Sequence, residues 1–142
     1  MKKSKILLIT IGLIICGLTS NAQNVKVNVK EDSEKSEYKR HQSFTLHDDS
    51  NNQVIDLQVD EGSNKLKIMV KGAIRDGKMM VELEDPDGNI KGTFAIKSSQ
   101  SKNKAKGNLE KSFIDPEGGT WRLRIQCKNA TGQIEIDTEI RK

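Results

Sequence analysis

The sequence is poor in the residues that most often carry out chemistry. Its 142 residues include only two histidines and two cysteines, and 4% of them are aromatic. Acid–base and nucleophilic catalysis often use a histidine or a reactive cysteine, so the sequence offers few possible catalytic sites. Basic residues without interleaved aromatic side chains also do not favour a base-stacking nucleic-acid surface. We therefore predict no enzyme activity, no catalytic, metal or cofactor site and no nucleic-acid partner.

The N-terminal segment has the pattern of a secretory signal. Three lysines open the chain, an almost wholly apolar run follows at Ile6–Leu18, and Ser20-Asn21-Ala22 supplies small residues at the −3 and −1 positions of a cleavage site. The run of about 13 residues is shorter than the roughly 20 that a spanning helix needs. The sequence predicts a signal peptide over residues 1–22, no membrane span, and a secreted or periplasmic protein.

A second interpretation places the processing site at Cys16. The run Leu13–Gly17 is similar to a lipoprotein box, in which the cysteine becomes the lipidated first residue of an outer-membrane lipoprotein. Ile15 occupies the position before that cysteine, where a small residue is usual. Processing after Ala22 leaves Cys127 as the remaining cysteine, which excludes an intramolecular disulfide.

Removing the signal also changes the charge of the chain. The sequence has 24 basic and 20 acidic residues, and residues 1–22 contain three lysines and no acidic residue. The processed chain would have 21 basic residues against 20 acidic ones, a net charge of +1. A balance this even gives no long-range attraction to nucleic acid or to an anionic membrane.

Apolar side chains occupy alternate positions through most of residues 43–142, which is the period of a half-buried β-strand. Turn signals separate seven or eight short strands, so we predict an all-β, antiparallel β-sandwich of the immunoglobulin-like or jelly-roll-like kind. Residues 23–42 are predicted to form an N-terminal strand and a charged linker. The alternation further suggests two hairpins, with Val70 opposite Met79 and Arg124 opposite Glu135, which would make Met69 and Met80 neighbours.

Several of these strands and turns carry a resemblance. Leu66–Val70, Met80–Gly88 and Asp115–Ile125 contain a strand followed by Asp-Pro-Asp-Gly, and Pro-Glu-Gly-Gly-Thr-Trp leading into a strand. These elements resemble secreted bacterial β-sandwich domains of the pre-peptidase C-terminal, or P-domain-like, kind. The resemblance implies a sandwich fold and an accessory role beside an enzyme; it implies no activity of the domain itself.

A few polar residues are candidates for a site. His41, His47, Asp48 and Asp49 could supply metal ligands, although the spacing of the histidines is not that of a zinc site. Asp85, Asp87 and Asn89 have the spacing of the first ligands of a calcium loop, but the glycine and the twelfth residue do not fit, which favours an ordinary turn. Lys97, Lys102, Lys104 and Lys106 form a basic loop.

The sequence thus predicts an exported, non-catalytic β-sandwich that binds an unidentified protein or surface polymer, or has a structural role in the cell envelope. The alternative is a small metal-dependent or hydrolytic enzyme centred on His47, Asp48 and Asp49.

Overall fold

The computed structural model describes residues 26–32, 37–98 and 104–142. Over these residues the chain is all-β and antiparallel, with no helix, which confirms the predicted fold class. The predicted signal peptide lies outside the described residues. No helix long and apolar enough to cross a membrane occurs in the described ranges. The strands are β1 (Lys26–Asp32), β2 (Glu37–Asp49), β3 (Asn52–Val59), β4 (Lys65–Glu84), β5 (Ile90–Lys97), β6 (Ala105–Ile114) and β7 (Gly119–Arg141).

Two long strands, β4 and β7, form the centre of the fold. β4 and β7 are paired antiparallel from end to end, from Lys65 opposite Arg141 to Glu84 opposite Arg122. The pairing shifts near Asp76, and the buried positions of β4 change there from even numbers, ending at Ile74, to odd numbers. Because an irregularity of this kind bends a strand, the ribbon keeps its apolar side chains on the inside of the bend.

The predicted hairpins are therefore wrong. Val70 lies opposite Ile136 and Met79 lies opposite Cys127, within one continuous β4 and one continuous β7. A hairpin and a bent strand produce the same change in apolar phase, and both can match opposite charges on the outer face. Met69 and Met80, which the hairpin would make neighbours, lie opposite Asp137 and Gln126 instead.

The remaining strands extend the two halves of this ribbon into two layers. β2 and β3 pair with successive halves of β7, while β6 and β5 pair with successive halves of β4. The five-stranded layer has the order β1, β2, β7, β4, β6, and the four-stranded layer has the order β3, β7, β4, β5. All pairs are antiparallel, and the apolar faces of the two layers form one sandwich core.

The far ends of the two layers are joined by short crossings. Asn64, between β3 and β4, donates its N–H to the carbonyl of Arg141 at 2.9 Å and accepts the N–H of Asp115 at 3.0 Å. Lys142 makes an ion pair with Asp60 at 2.6 Å. These contacts fix the end of the sandwich opposite the bend.

The core is mainly aliphatic, and every aromatic residue of the chain lies in it or packs against it. Its largest buried side chains are Leu66, Ile68, Ile74, Met79, Leu83, Leu123, Ile125, Ile134 and Ile136. Trp121 and Phe44 are buried, and Tyr38, Phe94 and Phe113 are half-buried and pack against the same cluster. The Trp121 indole also donates to the carbonyl of Glu117 at 2.9 Å.

Two glycines facing each other make room for this packing. Gly72 on β4 pairs with Gly107 on β6, on the inner face. A Cβ on Gly107 would lie 2.8 Å from the Phe94 ring, and one on Gly72 would lie 2.3 Å from the Met79 methyl group. The side chains of Phe94 and Met79 therefore occupy space that a larger residue at either glycine would fill.

Two segments predicted to be irregular are strands. The predicted linker extended to Gln42, but β2 begins at Glu37. The carboxylate of Glu37 accepts a hydrogen bond from Arg141 at 2.7 Å, so the charged residues there belong to the sheet. The predicted basic loop is shorter as well, because β6 begins at Ala105 and Lys106 therefore lies on a strand. Within the segment predicted as an N-terminal strand and linker, β1 occupies Lys26–Asp32.

Candidate functional site

His47, Asp48 and Asp49 lie where β2 ends, at a corner of the sandwich. Asp48 has a φ of 50°, donates its N–H to the Thr131 hydroxyl at 3.1 Å and accepts a hydrogen bond from the Asn129 amide at 3.3 Å. Asp49 is 8% exposed and accepts the N–H of Asn51 at 3.0 Å. Both carboxylates therefore hold the corner in place, and His47 is exposed beside them.

The two histidines do not form one site. His41 and His47 are six residues apart on β2, which corresponds to roughly 20 Å along a strand. Within the described ranges, no group of three or more His, Cys, Asp or Glu side chains is arranged to hold a metal ion. The geometry thus gives no support to the alternative of a metal-dependent enzyme at His47.

The Asp85 turn uses its carboxylate internally. Asp85 is 3% exposed, and it accepts hydrogen bonds from the N–H groups of Asp87 and Asn89 at 3.0 and 2.8 Å and from the Asn89 amide at 3.1 Å. Lys91 lies 3.0 Å from the same carboxylate. Burial disfavours its charge, but the hydrogen bonds from Asn89 and Lys91 outweigh that effect and lower the pKa of Asp85 to about 2.

Cys127 points into the core, as the strand pattern predicts. It is 8% exposed. Burial, reinforced by the negative charge of Asp49, raises the pKa of its thiol to about 11. A thiol with so little thiolate at neutral pH is a poor nucleophile, so Cys127 acts as a small core residue.

A groove crosses the outer face of the five-stranded layer. It has a volume of about 430 Å³ and is lined by Asn28 of β1, by residues 39–41 of β2, by Lys67 and Met69 of β4, and by residues 137–139 of β7. Because side chains alternate along each strand, the odd-numbered residues in the parts of β2, β4 and β7 that form this layer share this face. The even-numbered residues of the same parts face the core.

Most charged groups that line the groove have a partner, either within the groove or on a neighbouring residue outside it. His41 Nδ1 lies 2.6 Å from Asp137 Oδ1, and the two side chains are 41% and 42% exposed. Lys67 lies 2.8 Å from Glu110. Their hydrogen bond and mutual attraction raise the pKa of Lys67 and lower the pKa of Glu110. The groove therefore presents hydrogen-bond donors and acceptors whose charges are mostly compensated, and among the described residues Arg40 is the charged lining residue for which no ion pair is found.

A second hollow continues this surface along β4. Its volume is about 410 Å³, and its lining includes Lys71 and Ala73 of β4, Asn108 of β6, and Gln133 and Glu135 of β7. The groove and this hollow lie in succession, because Lys67 and Met69 line the first and Lys71 and Ala73 line the second. We call the two together the polar groove.

The sequence did not predict the polar groove. His41 was assigned to a linker, and its contact with Asp137 joins positions 96 residues apart. The alternation of Lys67, Met69 and Lys71 identified these side chains as outward-facing, but it did not show which strands flank β4. The neighbours of β4 depend on long-range pairing.

No protein-family model and no curated protein matches the chain. Similar solved structures include a carbohydrate-binding module from Cellvibrio mixtus lichenase 5A in complex with cellotriose, with 16% identity, a TM-score of 0.37, and coverage of 85% of this chain and 89% of that one. TmCBM61 in complex with β-1,4-galactotriose has 13% identity, a TM-score of 0.43 and coverage of 84% and 89%.

A third similar structure is that of Bacillus endospore appendages, described as disulfide-linked pili. It has 12% identity, a TM-score of 0.41, and coverage of 87% of this chain and 95% of that one. The assignment to the pre-peptidase C-terminal kind stays a prediction.

Proposed function

We propose that this chain is an exported, non-catalytic binding protein whose ligand lies in the polar groove. One observation carries the proposal: strands from distant parts of the chain place hydrogen-bonding side chains around a groove of about 430 Å³. The groove lies on one face of a rigid five-stranded layer, where its geometry is fixed by the pairing of β2, β4 and β7.

The chemistry of the groove fits a polar ligand with little net charge, such as a segment of a neutral surface polysaccharide. His41 and Lys67 are each paired with an acidic side chain, so the groove offers both donors and acceptors. All five aromatic residues of the chain pack against the core, so hydrogen bonds rather than ring stacking would hold the ligand. We expect weak affinity for a short ligand and tighter binding for a longer one.

The same geometry supports a non-catalytic role. His41 and Asp137 resemble two members of a catalytic triad, but the hydrogen bond found for the His41 ring among the described residues is the one to Asp137. A triad also needs a hydroxyl or thiol bonded to the other ring nitrogen. The buried Cys127, with its raised pKa, does not provide one.

Titration of the purified protein with neutral β-linked oligosaccharides of increasing length, followed by calorimetry and NMR, tests the proposal. Met69→Arg places a long side chain in the groove and should weaken binding about tenfold or more. Met80→Arg is the matched control, because Met80 is also half-buried and lies on the outer face of the other layer. Equal effects of the two variants, or no binding by the unmodified protein, would contradict the proposal.

The export part of the proposal has its own measurement. Mass spectrometry of the protein produced in a bacterial host should show a mature chain beginning at Gln23. A lipidated Cys16 would establish the outer-membrane lipoprotein instead, and an unprocessed Met1 would contradict export.

A further inference from the structure

Three lysines stand side by side across the four-stranded layer, immediately beyond its bend. Lys78 of β4 lies directly opposite Lys97 of β5 on one side and opposite Lys128 of β7 on the other. All three are exposed on the outer face. The Cα atoms of directly opposite residues in antiparallel strands are about 5 Å apart. The Cα atoms of the three lysines therefore span about 10 Å. We call this set the lysine row.

The lysine row differs from the basic groups of the outer faces that have acidic neighbours. Arg124 lies beside Glu84 and Lys67 lies beside Glu110, whereas the row places three lysines side by side. Over the described part of the chain, no ion pair is found for any of the three lysines of the row. Like charges directly opposite one another destabilise a sheet, and positions that break such a rule are often functional.

The backbone holds the row in register. Gly77, with a φ of 82°, lets β4 approach β7 so closely that a Cβ there would lie 2.1 Å from the carbonyl oxygen of Asn129. Ser98, next to Lys97, donates its N–H to the carbonyl of Gly77 at 3.0 Å and its hydroxyl to the carbonyl of Arg75 at 2.5 Å. The end of β5 is thus tied to the bend beside Lys78, so the three charges remain close together.

The row and the polar groove are on different layers. Lys97 belonged to the basic loop that the sequence indicated, but its neighbours in space are Lys78 and Lys128, which are 19 and 31 residues away along the chain. Lys104 is exposed just before β6, Lys106 lies on β6 opposite Ala73 in the five-stranded layer, and Lys102 is outside the described residues.

We propose that the lysine row binds an acidic polysaccharide, with its carboxylate or sulfate groups meeting the three lysines in turn. A linear polymer lying across the strands would place successive charged sugar units against successive lysines. A row of lysines suits such a ligand because each is a separate point charge. The five aromatic residues pack against the core, so the row lacks the stacking surface that single-stranded nucleic acid uses.

Binding of polygalacturonate, measured by calorimetry with the purified protein, tests this proposal. We expect binding that weakens as the salt concentration rises and that falls by about tenfold in Lys78→Glu, with a smaller loss in Lys78→Gln. Lys142→Glu changes the net charge equally at the opposite end of the sandwich and should bind normally. Dextran, which is uncharged, should not compete.

A second readout separates a binding role from a structural one. Lys78→Glu places an acid between Lys97 and Lys128, so it should raise the melting temperature while it weakens polygalacturonate binding. The proposal is overturned by no binding of polygalacturonate, by unchanged binding in Lys78→Glu, or by a lower melting temperature in that variant. Equal or tighter binding of single-stranded DNA or phosphatidylglycerol vesicles would overturn it in favour of those partners. Met69→Arg should leave this binding intact, so the two surfaces are tested independently.

Discussion

Adding one methyl group at Gly107 should destabilise the fold measurably. The new Cβ would lie 2.8 and 3.0 Å from two carbons of the Phe94 ring and 3.4 Å from Ile96. The ring is packed against the core and cannot simply turn away. Overpacking of this kind costs about 1–3 kcal/mol, while the reduced freedom of the unfolded chain returns about 0.4–1 kcal/mol. We therefore expect Gly107→Ala to lose about 1–2 kcal/mol of unfolding free energy.

Urea and thermal unfolding followed by circular dichroism measure this loss, which corresponds to a drop in melting temperature of about 4 °C per kcal/mol in a domain of this size. Phe94→Leu in the same chain should recover part of it, because the smaller side chain vacates the space, and a double-mutant cycle isolates that coupling. Ala95→Val adds bulk to the outer face of β5 and serves as the control. Stability equal to or above that of the unmodified protein in Gly107→Ala would refute the reasoning.

Two further perturbations test individual polar groups. The pKa of Asp85 is about 2 in the folded protein and about 3.9 in an unfolded chain, so its carboxylate stabilises the fold above about pH 4 and this stabilisation is lost as the pH falls through about 2. Asp85→Asn should therefore have a lower unfolding free energy than the unmodified protein at pH 7 and a similar one near pH 2. Urea titrations at several pH values measure this difference, and a difference that does not change with pH would contradict the reasoning. Thr138 is 3% exposed and its hydroxyl has no partner among the described residues. The isosteric Thr138→Val should raise the unfolding free energy by about 1 kcal/mol, and a decrease would show that the hydroxyl is satisfied.

The sequence predicted the faces of the strands better than their partners. The alternation of Leu66, Ile68 and Val70, and of Trp121, Leu123 and Ile125, identified core positions because a side-chain period of two is a local property. It did not distinguish a hairpin from a bent strand at residues 71–78, since a bulge and a turn both shift the phase by an odd number of residues.

The surfaces were less predictable for the same reason. The polar groove requires β2, β7 and β4 to be neighbours, and the lysine row requires β5, β4 and β7 to be neighbours. The pairings of β7 with β2 and with β4 join distant parts of the chain, so nothing near His41 or Lys78 in the sequence indicates that partner. The pairing of β4 with β5 is local, because the Asp85 turn connects the two strands directly. By contrast, the Asp85 turn could be read directly, because proline and glycine determine its backbone within five residues.

The continuity of β4 and β7 through both layers has a mechanical consequence. Two sheets that contact each other only through side chains can slide over one another or separate as units. Here the strands β4 and β7 each belong to both sheets. Separating one layer from the other would also break the backbone hydrogen bonds between β4 and β7. We therefore expect the domain to unfold in a single step and to resist shear. A ligand that contacts both the polar groove and the lysine row would therefore bind two surfaces held at a fixed separation.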